Sequence, residues 1–147
     1  MGVWIVCVSL CLLFALNASA ACQSGWARYG RTCFRVFNGP LSWSDAEATC
    51  LTYGGNLASV HSTLEYAFIK SVISSSNSYW IGGYDAVSEG KWFWSDGSKM
   101  NFKLWNPKEP NNLGGFEDCI QMNFGAAGNW NDQKCSDKLP FVCSISH

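Results

Sequence analysis

Residues 109–119 read EPNNLGGFEDC, and residues 130–132 read WND. Together they contain three short clusters of carboxylate and amide side chains. The clusters are Glu109 with Asn111, Glu117 with Asp118, and Asn131 with Asp132. Calcium takes roughly six to eight oxygen ligands from carboxylates, amide carbonyls and water. Cys119 and Cys135 lie beside these clusters, so a disulfide could hold them together. The sequence therefore predicts a calcium site in a loop.

The charge distribution is compatible with a cation site but does not require one. The net charge is −1 and the chain has no basic run, which argues against nucleic acid or an anionic membrane surface as a partner. Most of the acidic residues lie between Asp85 and Asp132, but four lysines share that stretch. On charge alone, a solvated acidic face is an equal alternative.

The first twenty residues have the pattern of a secretory signal. Val3 to Leu16 is almost wholly apolar, and Ala18-Ser19-Ala20 is a small-residue cleavage pattern. The apolar run is too short for a comfortable membrane span, although it lacks the usual basic residue before it. We expect a signal peptide at residues 1–20 and a single secreted domain at residues 21–147, with an uncleaved anchor as the alternative.

Six cysteines follow the predicted signal. They are Cys22, Cys33, Cys50, Cys119, Cys135 and Cys143. An even number in a small secreted chain predicts three disulfides, and the sequence alone leaves their pairing open. The chain has no Cys-x-x-Cys pair, and its histidines are His61 and His147, so structural zinc is not expected.

The sequence predicts two helices in the first part of the chain and most of the strands after them, which is an α+β arrangement. In residues 32–37 apolar and polar side chains alternate, which predicts a strand. Residues 38–40 should end that strand. Ser42 and Ser62 are expected to cap two helices, the first running to about Tyr53 before Gly54-Gly55. The second should bury a face made of Leu64, Phe68 and Val72. Later strands are expected at 79–82, 91–94, 119–124, 129–131 and 141–143.

The aromatic residues and the irregular stretch 96–128 allow two interpretations each. The tryptophans could form a dense core or display rings for ligand stacking, and we favour the core.

A long irregular stretch inside a compact domain is either functional or a sign that the secondary structure has been wrongly assigned. A disulfide at Cys119 and a bound metal ion would hold the stretch in one conformation, which would make the functional interpretation acceptable.

The pattern resembles a C-type lectin-like domain over residues 21–147. The matching motifs are Trp80-Ile81-Gly82, Glu109-Pro110-Asn111, Glu117-Asp118-Cys119, Trp130-Asn131-Asp132 and the spacing from Cys135 to Cys143. Cys22 and Cys33 add the amino-terminal pair of the long form. The resemblance implies two helices packed on small antiparallel sheets with a long calcium-binding loop. It also implies the disulfides Cys22–Cys33, Cys50–Cys143 and Cys119–Cys135.

The resemblance also implies two sets of Ca²⁺ ligands. The principal set is Glu109, Asn111, Glu117, Asn131 and Asp132. The second set is Asp85, Glu89, Asn112, Glu117 and Asp118. Asn112 departs from the family, which commonly has Asp there, and loss of that charge should weaken the second site. Calcium-bound members of the family have the proline equivalent to Pro110 in the cis form.

The principal set is also the expected carbohydrate site. A pair of sugar hydroxyls would donate to carboxylates and accept from amide NH₂ groups. In the family, the order Glu-Pro-Asn accompanies mannose-type sugars with equatorial 3- and 4-hydroxyls, whereas Gln-Pro-Asp accompanies galactose. We therefore expect a secreted mannose-type lectin, with innate immune recognition of microbial glycans as one role. Leu113 and Phe116 could contact the sugar, or Phe116 could fold inward.

Three other interpretations are weaker. Some antifreeze proteins resemble this domain but commonly carry more cysteines, and venom-like protein binders of the fold are a related alternative. No catalytic residues are expected, because no Ser/His/Asp or Cys/His arrangement is recognisable and the carboxylates are better assigned to calcium. We see no collagen repeat, heptad stalk or spare cysteine, so any oligomer should be non-covalent or supplied by a partner.

Overall fold

The computed structural model describes residues 21–147, which form two α-helices and eight strands. The expected signal peptide at residues 1–20 lies outside the described residues. The helices are α1 (Trp43–Thr52) and α2 (Thr63–Val72). The strands are β1 (Ala27–Tyr29), β2 (Thr32–Leu41), β3 (Asn56–Leu57), β4 (Tyr79–Tyr84), β5 (Phe93–Trp94), β6 (Glu117–Phe124), β7 (Asn129–Lys134) and β8 (Leu139–Ser146). A short 3₁₀ turn, Leu113–Gly115, precedes β6.

The eight strands are connected in one sheet. Its order is β1-β2-β8-β4-β6-β7, with β3 paired to β8 and β5 paired to β4. All pairings are antiparallel except that of β4 with β8, which is parallel at Trp80 and Phe141. The α+β class is confirmed. The expected set of small antiparallel sheets is wrong in detail, because the parallel pair joins them into one mixed sheet.

Both helices begin where the capping pattern predicts. The Ser42 hydroxyl accepts from the Asp45 N–H at 3.3 Å, and the Ser62 hydroxyl accepts from the Glu65 N–H at 3.0 Å. Each bond satisfies a backbone donor that the first helical turn leaves free. Within residues 21–147, neither helix is long and apolar enough to cross a membrane.

The buried face of α2 differs from the prediction. Tyr66 and Ile69 are buried, whereas Leu64 is 72% exposed and Val72 is 37% exposed. Burial of Tyr66 is favourable because its hydroxyl donates to the Gly128 carbonyl at 2.6 Å and accepts from the Asn123 N–H at 3.0 Å. Burial also raises the pKa of Tyr66 to about 12. Phe68 is half-buried and packs against the core, so the prediction was right for Phe68 and wrong for Leu64 and Val72.

Strand β2 is longer than predicted. It continues through Asn38-Gly39-Pro40 to Leu41, with a register shift against β8 between Phe37 and Leu41. A bulge of this kind accommodates residues that break a regular ladder. Strands β1 and β3 were not predicted, since three and two residues are too short to show a period.

The tryptophans of the sheet form much of the core. Trp80 and Trp130 are fully buried and Trp94 is 2% exposed. The Trp94 and Trp130 rings meet edge to face with centroids 5.3 Å apart, an arrangement favoured by the ring quadrupoles. The core interpretation of these residues is confirmed.

The disulfides have the implied pairing. Cys22 is bonded to Cys33, Cys50 to Cys143 and Cys119 to Cys135. The second bond joins α1 to β8 across 93 residues of sequence. The third joins the start of β6 to the residue that follows β7, so it holds together the two strands that carry the candidate ligands.

Candidate functional site

The three predicted ligand clusters meet at one edge of the sheet. Glu117 and Asp118 begin β6, and Asn131 and Asp132 lie in β7. The antiparallel register sets Asp132 opposite Ile120 and Asn131 opposite Gln121. The irregular segment between β5 and β6 carries residues 109–112 to the same edge, and the Glu109–Pro110 peptide bond is cis.

Asp132 connects the loop to the sheet. Its side chain is fully buried, and its two carboxylate oxygens accept from the backbone N–H groups of Asn111, at 3.1 Å, and Asn112, at 2.6 Å. Hydrogen bonds to an ionised acceptor are among the stronger ones. Asp132 therefore positions the loop residues as well as offering its own oxygens.

The loop is closed by a second set of hydrogen bonds. The Leu113 N–H lies 3.2 Å from the Asn111 Oδ1 and 3.0 Å from the Glu117 Oε1, both of which can accept from it. The Glu117 N–H donates to the Asn112 Oδ1 at 3.0 Å. These bonds bring three of the predicted ligands, Asn111, Asn112 and Glu117, into one short turn and satisfy the backbone N–H groups of Leu113 and Glu117.

Gln121 is a site residue that the sequence did not indicate. The Asn131 amide NH₂ donates to the Gln121 Oε1 at 2.6 Å and more weakly to the Gln133 Oε1 at 3.4 Å. This differs from the expected use of the Asn131 NH₂ as a donor to sugar. The pairing follows from the β6–β7 register, which places Asn131 and Gln121 opposite each other and cannot be read from either residue alone.

The electrostatics of the principal set fit a cation. Burial raises the pKa of the Glu109 carboxyl, and the neighbouring Asp132 and Glu117 carboxylates raise it further. Burial also raises the pKa of Glu117, again with a contribution from Asp132. The Glu109 Oε1 is buried without a hydrogen-bond partner. Converging carboxylates with an unsatisfied oxygen are stabilised by a positive ion, and an all-oxygen set suits calcium.

The second predicted set is only partly assembled. Side-chain oxygens of Asp85, Glu89 and Asp118 lie within 4.8 Å of one another. The Asp85 Oδ1 is buried and unpaired, while its Oδ2 accepts from the Gly90 N–H at 2.9 Å. The Asn112 oxygen, in contrast, accepts the bond from Glu117 described above. Three carboxylates therefore form the core of this second candidate site.

The pKa of Asp85 predicts a pH effect on the calcium-free protein. Burial, opposed by the Gly90 hydrogen bond and reinforced by Asp118 and Glu89, raises the pKa of Asp85 to about 7. The unfolded value is about 3.9. Between these values the folded state holds a proton that the unfolded state has lost, so this contribution to stability grows as pH falls from 8 to 5.

The measurement is thermal unfolding in EDTA at pH 8, 7, 6 and 5, with Asp85→Asn as the comparison. We expect the wild type minus variant difference in Tm to become more favourable to the wild type at lower pH. A difference that is constant with pH would contradict the raised pKa of Asp85.

A polar cluster outside the predicted sites involves His61. Its Nε2 lies 3.1 Å from the hydroxyls of both Ser59 and Ser98. Both hydroxyls donate to the carboxylate of Asp96. In a catalytic triad the serine donates to the histidine and the histidine to the carboxylate. The order here is different, so neither serine is activated as a nucleophile by His61.

Comparison with known proteins assigns most of the domain to one family. The family model for the lectin C-type domain matches residues 39–145. The chain is 44% identical to ladderlectin of Oncorhynchus mykiss over 123 residues, which are 81% of the chain and 65% of ladderlectin. It therefore spans just under two thirds of that relative's length.

Two further relatives are matched over a larger share of their own length. The galactose-specific lectin nattectin of Thalassophryne nattereri is 43% identical over 132 residues, 87% of the chain and 82% of nattectin. The solved structure of the herring type II antifreeze protein superposes with a TM-score of 0.81 at 34% identity, covering 86% of this chain and 99% of that one. The C-type lectin-like architecture is thereby confirmed, and the chain belongs to the C-type lectin domain family.

Proposed function

We propose that this protein is a secreted, non-enzymatic lectin that binds carbohydrate through calcium and prefers mannose-type sugars. The observation that carries the proposal is the meeting of the Glu109, Glu117 and Asp132 carboxylates at one edge of the sheet, with a buried oxygen of Glu109 left unpaired. Secretion is supported by the signal pattern at residues 1–20 and by three disulfides, which persist in oxidising compartments.

The residues at the site supply complementary hydrogen-bonding groups for a sugar diol. The residues of the principal set would hold a calcium ion, which would supply an electrophilic centre for two vicinal hydroxyl oxygens. Glu109 and Glu117 offer carboxylate oxygens that accept the hydroxyl protons. Asn111 offers an amide NH₂ that donates to a hydroxyl oxygen. Because the Asn131 NH₂ is held by Gln121, Asn131 is assigned to the ion through its carbonyl oxygen.

The preference among sugars has two candidates. The order Glu109-Pro110-Asn111 supports mannose-type ligands, because it places a carboxylate acceptor before an amide donor as in family members with that preference. Nattectin, at 43% identity, is a galactose-specific lectin, which favours galactose as the second candidate. The loop motif is the part of the chain that would contact the sugar, so we give it more weight than overall identity.

The test is retention on mannose-agarose in calcium, followed by elution with EDTA. We expect full retention, full release by the chelator, and competition by free mannose at lower concentration than by free galactose. Retention that survives EDTA would contradict calcium-dependent binding. Competition by galactose at lower concentration than by mannose would replace the mannose preference with the second candidate.

The double variant Glu109→Gln/Asn111→Asp tests the loop motif directly. It exchanges the positions of donor and acceptor around the ion while keeping nearly the same side-chain volumes. We expect its preference to shift toward galactose, measured by the ratio of free galactose to free mannose needed for half-maximal elution. An unchanged ratio in a variant that still binds calcium would show that other contacts decide the preference.

An antifreeze function is the alternative from a different class. It is favoured by the similarity to the herring antifreeze protein. Family antifreeze members commonly carry additional cysteines, whereas residues 21–147 contain three disulfides formed by all six of their cysteines. Thermal hysteresis of the purified protein in calcium distinguishes the two functions, and we expect none above that of an equal concentration of albumin.

One shallow sugar site binds weakly, so useful avidity requires several sites on one particle. We propose that the biological partner is a repeated mannose-type glycan, as on a microbial surface, and that the protein engages it as a non-covalent oligomer.

A further inference from the structure

Two large apolar side chains are exposed on the loop of the proposed sugar site. Leu113 is 70% exposed and Phe116 is 69% exposed. The sequence left open whether Phe116 folds inward, and the structure shows that it does not. Single exposed apolar residues are common, but two large ones in one short turn beside polar groups are a candidate binding surface.

The loop holds these side chains beside the predicted ligands. The Leu113 N–H faces the Asn111 Oδ1 and the Glu117 Oε1 at 3.2 and 3.0 Å, and Phe116 directly precedes Glu117 in the chain. A molecule held by Asn111 and Glu117 would therefore lie at the turn that carries both apolar residues.

The backbone between the two apolar residues is also specified. Gly114 and Gly115 have φ angles of 72° and 79°, which residues other than glycine rarely adopt. The Gly115 N–H donates to the Asn112 carbonyl at 2.8 Å. The exposed positions of Leu113 and Phe116 thus belong to a hydrogen-bonded turn with a defined conformation.

We propose that Leu113 and Phe116 form an apolar subsite that binds an alkyl or aryl aglycone of the sugar held at the neighbouring site. The inference rests on the proposed function and narrows its ligands to glycosides with an apolar substituent. The occupant is part of the same ligand because the backbone of Leu113 is bonded to two residues of the sugar site. Burial of the aglycone removes apolar surface of both partners from water.

The test is isothermal titration in calcium with methyl, n-hexyl and phenyl α-mannosides. On the wild type we expect the hexyl or the phenyl glycoside to bind about tenfold more tightly than the methyl glycoside. Leu113→Ser/Phe116→Ser should remove this advantage and leave the methyl glycoside affinity unchanged. A larger gain for hexyl would indicate a lipid-like aglycone, and a larger gain for phenyl would indicate stacking on Phe116.

The matched control is Leu64→Ser, which removes an equally exposed apolar side chain, 72% exposed, from helix α2. It should retain the full advantage of the apolar glycosides. Equal affinities of all three mannosides for the wild type would overturn the subsite while leaving calcium-dependent sugar binding intact. If neither methyl mannoside nor methyl galactoside binds in calcium, the proposed function fails and the subsite fails with it.

Discussion

Replacing Cys50 with serine is expected to abolish secretion of folded protein, whereas Cys22→Ser is expected to be tolerated. The Cys50–Cys143 bond closes a loop of 93 residues and joins α1 to β8, while Cys22–Cys33 closes only 11 residues. In the chain-entropy model the long closure stabilises the fold by about 4–5 kcal/mol and the short one by about 3. A small domain has a total stability of about 5–15 kcal/mol, so at the lower end of that range the first loss removes almost all of it.

The burial of the two bonds strengthens this difference. Cys50 and Cys143 are completely buried in the cluster that contains Leu57 and Trp80, whereas Cys22 is only partly buried. A serine at position 50 would also place an unpaired hydroxyl in that core. The measurement is the amount of soluble protein without intermolecular disulfides in the medium of expressing cells, with Cys22→Ser as the matched control. Equal yields of the two variants would contradict the assignment.

The sequence predicted the elements that have local signals. Ser42 and Ser62 mark helix starts because a cap hydroxyl needs only its own backbone neighbours, and both are confirmed. The disulfide pairing came instead from the family resemblance, since pairing depends on distances in the folded chain. The inner face of α2 was predicted correctly only at Phe68. Tyr66 was missed because it is buried through hydrogen bonds to Gly128 and Asn123, which lie far away in the sequence.

In the candidate site, too, some residues could be predicted from the sequence and others could not. The predicted ligands Glu109, Glu117 and Asp132 could be named from the sequence because they lie in the motifs of the family resemblance, and the structure brings them together. Gln121 could not be found in this way. It lies within a strand, and its role depends on the register that pairs it with Asn131.

The exposure of Phe116 is likewise a property of the folded turn. Its neighbours in the chain include two glycines, which allow the loop to direct the ring either way, and the sequence contains no signal for one direction. The hydrogen bonds of the Leu113 and Gly115 N–H groups determine the turn, and these bonds exist only when residues 111, 112 and 117 have assembled. Tertiary contacts therefore decide the part of the site that extends beyond the ligands.

Replacing Asp132 with asparagine is expected to weaken calcium binding by about 100-fold or more and to eliminate retention on mannose-agarose. The substitution removes one charge from the proposed ligand set, and ligand charge tunes calcium affinity over several orders of magnitude. It also replaces one acceptor by an NH₂ donor, so one of the N–H groups of Asn111 and Asn112 loses its partner. An unsatisfied buried donor destabilises the fold by about 1–3 kcal/mol.

Two measurements separate these effects. Thermal unfolding in EDTA reports the lost hydrogen bond, and calcium titration at a temperature where the variant is folded reports the lost charge. Asp45→Asn is the control, because it removes an exposed carboxylate from the first turn of α1 and should leave calcium affinity unchanged. If Asp132→Asn loses thermal stability but binds calcium as tightly as the wild type, Asp132 only positions the loop and is not a ligand. Loss of calcium affinity in both variants would instead indicate an effect of net charge, which makes Asp45→Asn essential to assigning the ion to this buried carboxylate.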